Sequence, residues 1–406
     1  MKQPMQTVEL QDLVRFASGG TPSKANEANW GGDVPWLSAK DLKRLNLHDS
    51  QDHLTAQGAK GCTLAAPGSI LVLVRGMTLL KDLPLGVVMR EMAFNQDVKA
   101  LIPNADIRPH YLAYILISRK QELLQLVETA GHGTGRLDTD ILKSFAVELP
   151  GLAQQDKFIE MVGVWDAAID ATSALLSTLE RRKQGLMQQL LTGRKRLKGF
   201  KGKWKLLRAD KLFTEISIRN QTAEEPLLSV TQDRGVIPRD MLVGRVTMPA
   251  GTVDAFKLVE RDNFVISLRS FQGGLEHSAY RGLVSPAYTV LQASDDIHPA
   301  YFRHYFKSTD FVKRLSVAVV GIRDGKQISY TDFRSIKLPL PPMAEQMAMT
   351  ELLDLADQDI GLCRARLAAL QTQKRALMQK LLSGEWQVPA QPVQPAKRKP
   401  ASKKGL

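Results

Sequence analysis

The chain repeats itself, and that constrains its architecture more than any composition figure. Leu149-Pro150-Gly151-Leu152-Ala153-Gln154-Gln155 recurs as Leu340-Pro341-Pro342-Met343-Ala344-Glu345-Gln346. Lys183-Gln184-Gly185-Leu186-Met187-Gln188-Gln189-Leu190-Leu191-Thr192-Gly193 recurs as Lys374-Arg375-Ala376-Leu377-Met378-Gln379-Lys380-Leu381-Leu382-Ser383-Gly384. The copies align without a gap at an offset of about 190 residues, with roughly 17 identities in roughly 45 positions. Fainter echoes lie upstream. Ile107-Arg108-Pro109-His110-Tyr111-Leu112 matches Ile297-His298-Pro299-Ala300-Tyr301-Phe302, and Ile70–Arg75 resembles Phe264–Arg269. A period this long means domain duplication rather than a solenoid. The chain reads as two copies of one unit, each a variable globular region followed by a better-kept helix.

The helices announce themselves by period. Apolar positions in the first copy step 4, 3, 4, 3 through Phe158, Val162, Trp165, Ile169, Thr172, Leu176, Leu179, Lys183, Leu186 and Leu190. The second copy steps identically through Met349, Leu353, Ala356, Ile360, Cys363, Leu367, Leu370, Lys374, Leu377 and Leu381. A strict 3.5-residue period is a coiled-coil seam. Prolines precede each helix and Gly193 and Gly384 are placed to stop them. A seam needs a partner, and the other copy is the natural one. A globular region of about 145 residues between the helices makes antiparallel pairing easy, with the two globular regions at opposite ends. Thr172/Cys363 and Lys183/Lys374 interrupt the seam at matching places, where polar residues fix register. A helix of about 38 residues is about 57 Å long, roughly one and a half turns of B-DNA.

Charge is distributed unevenly. The 406 residues carry 55 Lys+Arg against 42 Asp+Glu, a net of +13. Twelve of those thirteen charges lie in residues 194–205 (seven basic, no acidic) and 389–406 (five basic, no acidic). The globular regions are nearly neutral. The tail, rich in Pro and Ala, reads as disordered, with a sequence-blind phosphate contact as its functional reading. The two cysteines, Cys62 and Cys363, cannot build a disulfide framework or thiolate metal cluster, and their scarcity fits a reducing cytoplasm. No apolar signal core follows Met1, and no stretch of about 18 apolar residues exists.

The first globular region opens with Gly19-Gly20-Thr21-Pro22-Ser23-Lys24 and Asn29-Trp30-Gly31-Gly32-Asp33-Val34-Pro35-Trp36-Leu37-Ser38. Strand-like runs at Ile70–Val74 and Gly86–Met89, a helix over Pro109–Leu126 and a Gly-rich loop at Gly131–Gly135 follow. The second has Pro226-Leu227-Leu228-Ser229-Val230-Thr231-Gln232-Asp233-Arg234-Gly235-Val236-Ile237-Pro238-Arg239. Both read as α+β. These runs, with the two helix starts and the Leu-Met-Gln-x-Leu-Leu-x-Gly ends, resemble the specificity subunits of type I restriction–modification systems over nearly the whole chain.

The resemblance implies an α+β fold of two pseudo-symmetric globular target recognition domains joined by two long helices forming an antiparallel coiled coil. Domain 1 would span 1–148, the central helical spacer 149–193, the basic linker 194–205, domain 2 206–339, the C-terminal helical spacer 340–388 and the disordered tail 389–406. It implies a reader of bipartite, asymmetric double-stranded DNA, one half per domain. Such a reader recruits two methyltransferase and two restriction/translocase subunits. S-adenosylmethionine, ATP and Mg would belong to those partners and no cofactor to this chain.

No catalytic constellation competes with that reading. The chain has no Walker-type phosphate loop, no Asn-Pro-Pro-aromatic run, no complete Gly-x-Gly-x-x-Gly after a strand and no His-Glu-x-x-His pair. Base-reading candidates, chosen as loop Arg, Lys, Gln and His, are Lys40, Lys43, Arg44, Arg75, His132 and Arg136 in the first region. In the second they are Gln232, Arg234, Arg269, Gln272, Arg323 and Lys326. Plain surface exposure accounts for such residues equally well. Two rival functions stand: a stand-alone DNA-modifying enzyme, which would transfer methyl groups by itself, and a coiled-coil scaffold indifferent to DNA sequence. The near-neutral domains predict weak, salt-sensitive DNA binding by the lone chain that tightens when the methyltransferase joins.

Overall fold

The computed structural model describes residues 6–130, 133–219, 225–242, 253–267, 274–318 and 328–386. They divide into two compact units: unit 1 from residues 1–171 and 367–406, unit 2 from 172–366. The boundary falls inside both long helices, Leu152–Leu190 and Met343–Leu382.

Unit 1 is built on a five-stranded sheet ordered Val14–Ser18, Val98–Pro103, Ile70–Leu73, Leu85–Val88, Asn46–Leu47. The first four are antiparallel and the last pairs parallel. Ile70 to Leu73 are all buried, as a continuous apolar run requires when both sheet faces are covered. The helix Pro109–Ser118 packs with Leu10, Leu101, Leu142 and Val147 in one core. The strand Gln6–Glu9 closes the unit against Ala146–Leu149, Gln6 opposite Leu149.

Unit 2 repeats the plan. Its sheet runs Phe213–Ile216, Thr289–Ala293, Phe264–Ile266, Leu275–His277, all antiparallel. Lys205–Arg208 closes against Lys337–Leu340, Lys205 opposite Leu340. Edge-to-face aromatics fill the core, with Phe213 against Phe264 at 5.5 Å and Phe302 at 5.2 Å. Both units are mixed α/β.

Each unit also contains a stretch of both long helices. In unit 1, Phe158 and Val162 share a core with Met378 and Leu381. In unit 2, Leu190 and Leu191 share one with Met349 and Leu353. Within unit 1 Asp166 lies against Lys374, before Met378 and Leu381, and within unit 2 Thr172 meets Cys363, Lys183 meets Asp357 and Leu190 nears Leu353, so the pairing inside each unit is antiparallel. All twenty heptad positions are buried or half-buried. Gly193 and Gly384 end the helices with φ of +69° and +68°, a conformation that costs glycine little.

Two local expectations are corrected. The helix expected over Pro109–Leu126 is two helices, Pro109–Ser118 and Lys120–Gln125. Arg119 leaves helical geometry between them (φ −97°, ψ 19°). Its guanidinium donates to Glu122 and to the Ala146 carbonyl and lies 4.3 Å from the Phe145 ring centre. Within the expected loop Gly131–Gly135, Thr134 and Gly135 belong to a strand, Thr134–Arg136, paired with Glu128–Ala130. The sequence could not show that pairing because its partner strand is only three residues long. The expected tail lies outside the described residues.

Candidate nucleic-acid interface

The motif Gly-Gly-Thr-Pro-Ser…Trp turns out to be scaffold. Trp30 Nε1 donates to Ser23 O (3.2 Å) and Trp36 Nε1 to Gly20 O (3.0 Å), while the two indoles meet edge to face at 5.1 Å. Two apolar rings with one donor each thus fold the opening loop onto the strand Trp30–Leu37.

That strand delivers the loop carrying Lys40, Lys43 and Arg44, all exposed. Asp41 shapes the loop by accepting from Ser38 N (3.0 Å) and Gln51 N (3.0 Å). Lys40 pairs with Asp52 at 2.7 Å, and that hydrogen bond holds its ammonium above the usual lysine range. Arg75 and Arg136 come together. They are directly opposed on antiparallel strands Arg75–Gly76 and Thr134–Arg136. Arg136 bonds Asp138 at 3.0 Å. Among the described residues Arg75 has no ion pair or side-chain hydrogen bond.

In unit 2, Gln232 and Arg234 occupy the turn of a hairpin, Leu228–Thr231 with Gly235–Pro238. Arg234 donates to Met241 O (3.1 Å). Lys307 Nζ braces the turn, donating to Gln232 O (3.0 Å) and Glu276 Oε1 (2.5 Å). Glu276 is fully buried, and its other carboxylate oxygen has no partner. Burial pushes its carboxyl up to about 6, against the pull of Lys307. At the matching place in unit 1 stands Gly86, where a Cβ would come 2.7 Å from Leu47 and 2.8 Å from Arg44 O. His132, Arg269, Gln272, Arg323 and Lys326 lie outside the described residues.

The polar seam positions find specific partners within their units. Lys374 pairs with Asp166, whose other oxygen accepts from Tyr114 Oη (2.5 Å); Lys374 also sits 5.0 Å from the Tyr114 ring centre. Lys183 pairs with Asp357 at 2.5 Å. Cys363 Sγ donates to Thr172 O at 3.5 Å. Where unit 1 has Tyr114, unit 2 has buried His304, 2.6 Å from Asp354. Burial holds the His304 imidazole below its ordinary range, with Asp354 opposing the shift and Arg303 and Lys183 adding to it. His304, Asp354 and Asp357 gather three donor groups. Arg303 and Lys183 already occupy the two carboxylates, making the cluster an ion-pair network.

Sequence reasoning passed over the residues that fasten helix to sheet. Gln155, fully buried, accepts from Arg108 N (2.8 Å) and donates to Asp106 O (3.0 Å) and Pro150 O (2.9 Å). Gln346 does the same with His298 N (2.9 Å), Asp296 O (3.0 Å) and Pro341 O (2.9 Å). The signal was present: this Gln is identical in both copies. Beside it, buried Glu345 takes Arg196 through two bonds (2.5 and 2.6 Å) and Trp204 Nε1 (2.9 Å), anchoring the basic linker.

Two mixed α/β units on one sheet plan, each holding a stretch of both long helices, define a tandemly duplicated, helix-braced α/β protein. Residues 2–181 match the family model for the type I restriction modification DNA specificity domain. The EcoR124I/EcoR124II specificity subunit of Escherichia coli is 29% identical over 179 residues, 43% of this chain and 44% of that subunit. This match thus spans under half of that relative. The putative MjaX specificity subunit of Methanocaldococcus jannaschii is 24% identical over 94% of this chain and 93% of its own length. In fold, the chain is similar to a type I restriction–modification S subunit from M. genitalium, with TM-score 0.57 and 14% identity over 94% of this chain and 96% of that one. A second structure, concerned with assembly and conformational transition of a type I system, gives TM-score 0.57 at 17% identity over 95% and 99%. Residues 2–181 thus carry the match to the specificity-domain model, and over most of its length the chain is similar to type I restriction specificity subunits. No helix among the described residues is long and apolar enough to cross a membrane.

Proposed function

We propose that the chain is the non-catalytic DNA-recognition subunit of a type I restriction–modification complex. It reads a bipartite, asymmetric target, one half per pseudo-symmetric target recognition domain (1–148 and 206–339). The spacers 149–193 and 340–388 pair as an antiparallel coiled coil and set the gap between half-sites. The carrying observation is that both units repeat one sheet order and each is locked to the helix pair by an identical buried glutamine, Gln155 or Gln346.

Two methyltransferase and two restriction/translocase subunits are its partners, in the cytoplasm. S-adenosylmethionine, ATP and Mg serve those partners. Recruitment of a partner in two copies is supported by exposed apolar residues at equivalent helix positions: Leu152 and Met343, each 37% exposed, and Val164 and Leu355, at 67% and 51%.

The test is the host's methylation pattern with and without the gene. Loss of one bipartite methyl-adenine motif is expected; an unchanged methylome defeats the proposal. Removing one heptad from each helix should change the tolerated gap, and an unchanged gap would defeat the spacer role.

A further inference from the structure

Arg75 and Arg136 face each other across two antiparallel strands, in line with Glu128 on the third. Directly opposed residues project to the same face. The next row, Gly76 opposite Gly135, shows which face is outside. A Cβ on Gly135 would lie 3.1 Å from Val127 and 3.2 Å from Leu79, so that row packs inward. Glu128, Arg136 and Arg75 are therefore on the outward face, and all three are exposed.

Like charges directly opposed destabilise a sheet. Asp138 answers Arg136, but among the described residues nothing answers Arg75. The position is also rigid. Arg75 follows directly from the buried strand Ile70–Leu73, and the Val74 and Arg75 amides both donate to Asp97 O (2.9 and 3.2 Å). Leu137 N donates to Val74 O (2.9 Å), tying the second strand to the first. Recognition groups on strands hold their geometry better than groups on loops. Lys40, by contrast, is spent on Asp52. Met77, 72% exposed, follows the arginine row and offers an apolar contact.

We propose that this arginine pair reads guanine in the half-site assigned to unit 1, with Arg75 contacting the base edge and Arg136, held by Asp138, positioning it. The inference rests on the recognition role proposed above. A narrow β-ribbon enters the major groove, where an arginine fork matches guanine O6 and N7. Unit 2 has no part in it.

The experiment is selection of binding sites from a randomised duplex pool at low ionic strength by the full chain and by Arg75→Ala, Arg75→Lys and Arg136→Ala. The wild type should select two half-sites. Arg75→Ala should lose guanine preference in one half by about 10–100-fold and keep the other half. Arg75→Lys should regain affinity without the preference. Arg136→Ala should weaken the same guanine position. A motif unchanged in Arg75→Ala, or an even loss of affinity over all sequences, overturns the inference, the latter marking a phosphate contact instead. A wild-type chain that selects no motif defeats the recognition role and this inference with it. Unchanged thermal melting of each variant excludes misfolding as the cause.

Discussion

Lys374 of the second long helix pairs with Asp166 of the first, beneath the Tyr114 ring. The lysine and aspartate are only 15% and 24% exposed in their side chains, so solvent screens the pair poorly. Removing one partner strands the other. Lys374→Ala or Asp166→Ala should cost about 1–3 kcal/mol, and replacing both by apolar residues should cost less than either. Chemical denaturation of the four proteins completes the cycle; strict additivity would mean the pair does not couple.

Gln346→Ala should destabilise unit 2 by about 2–4 kcal/mol, because it unpairs one amide and two carbonyls in a dry site. Gln155→Ala should do the same to unit 1. Limited proteolysis locates the damage: new cuts near Pro341 in the first variant and near Pro150 in the second. Cuts elsewhere would argue against the clamp.

Glu276 makes unit 2 respond to acid. Its carboxyl is raised from 4.5 to about 6. A raised carboxyl binds its proton more tightly in the folded state, so its stabilising contribution is complete below pH about 4.5 and is lost as pH rises through about 6. The amount is about 2 kcal/mol. Glu276→Gln cannot titrate, so the stability difference between variant and wild type should change across this window and be flat above it. A flat difference throughout would show that the group titrates normally.

On the two-copy docking proposed above, Val164→Asp and Leu355→Asp should each remove one copy of the proposed methyltransferase partner and leave the melting of the free chain nearly unchanged, since both side chains are exposed. Native mass measurement reads the stoichiometry. Full assembly by the double variant would place the docking face elsewhere.

The long helices were legible because twenty heptad positions repeat a single period, and every one is sheltered. The fastening of helix to sheet was legible only as repetition: Gln155 and Gln346 matched, but which carbonyls they hold depends on loops far away in sequence. The candidate interface was least legible. Arg75 and Arg136 were picked out as separate loop cations, yet register places them side by side, and no residue preference encodes a pairing across 60 intervening positions. Glu276 escaped notice because a buried carboxylate at a strand centre contradicts strand preference, and its lysine lies on another element.

The division of the chain has a consequence for synthesis. Unit 2 is one unbroken stretch, whereas unit 1 draws on both ends and needs Met378 and Leu381 for its core. At about 5–20 residues per second, the ribosome makes the intervening 195 residues in roughly 10–40 s. During that interval the aromatic face around Tyr111, Tyr114 and Phe158 has emerged without the helix segment that completes it. The segment begun first is thus finished last, and a nascent chain stalled within unit 2 would carry an open apolar seam exposed to chaperones.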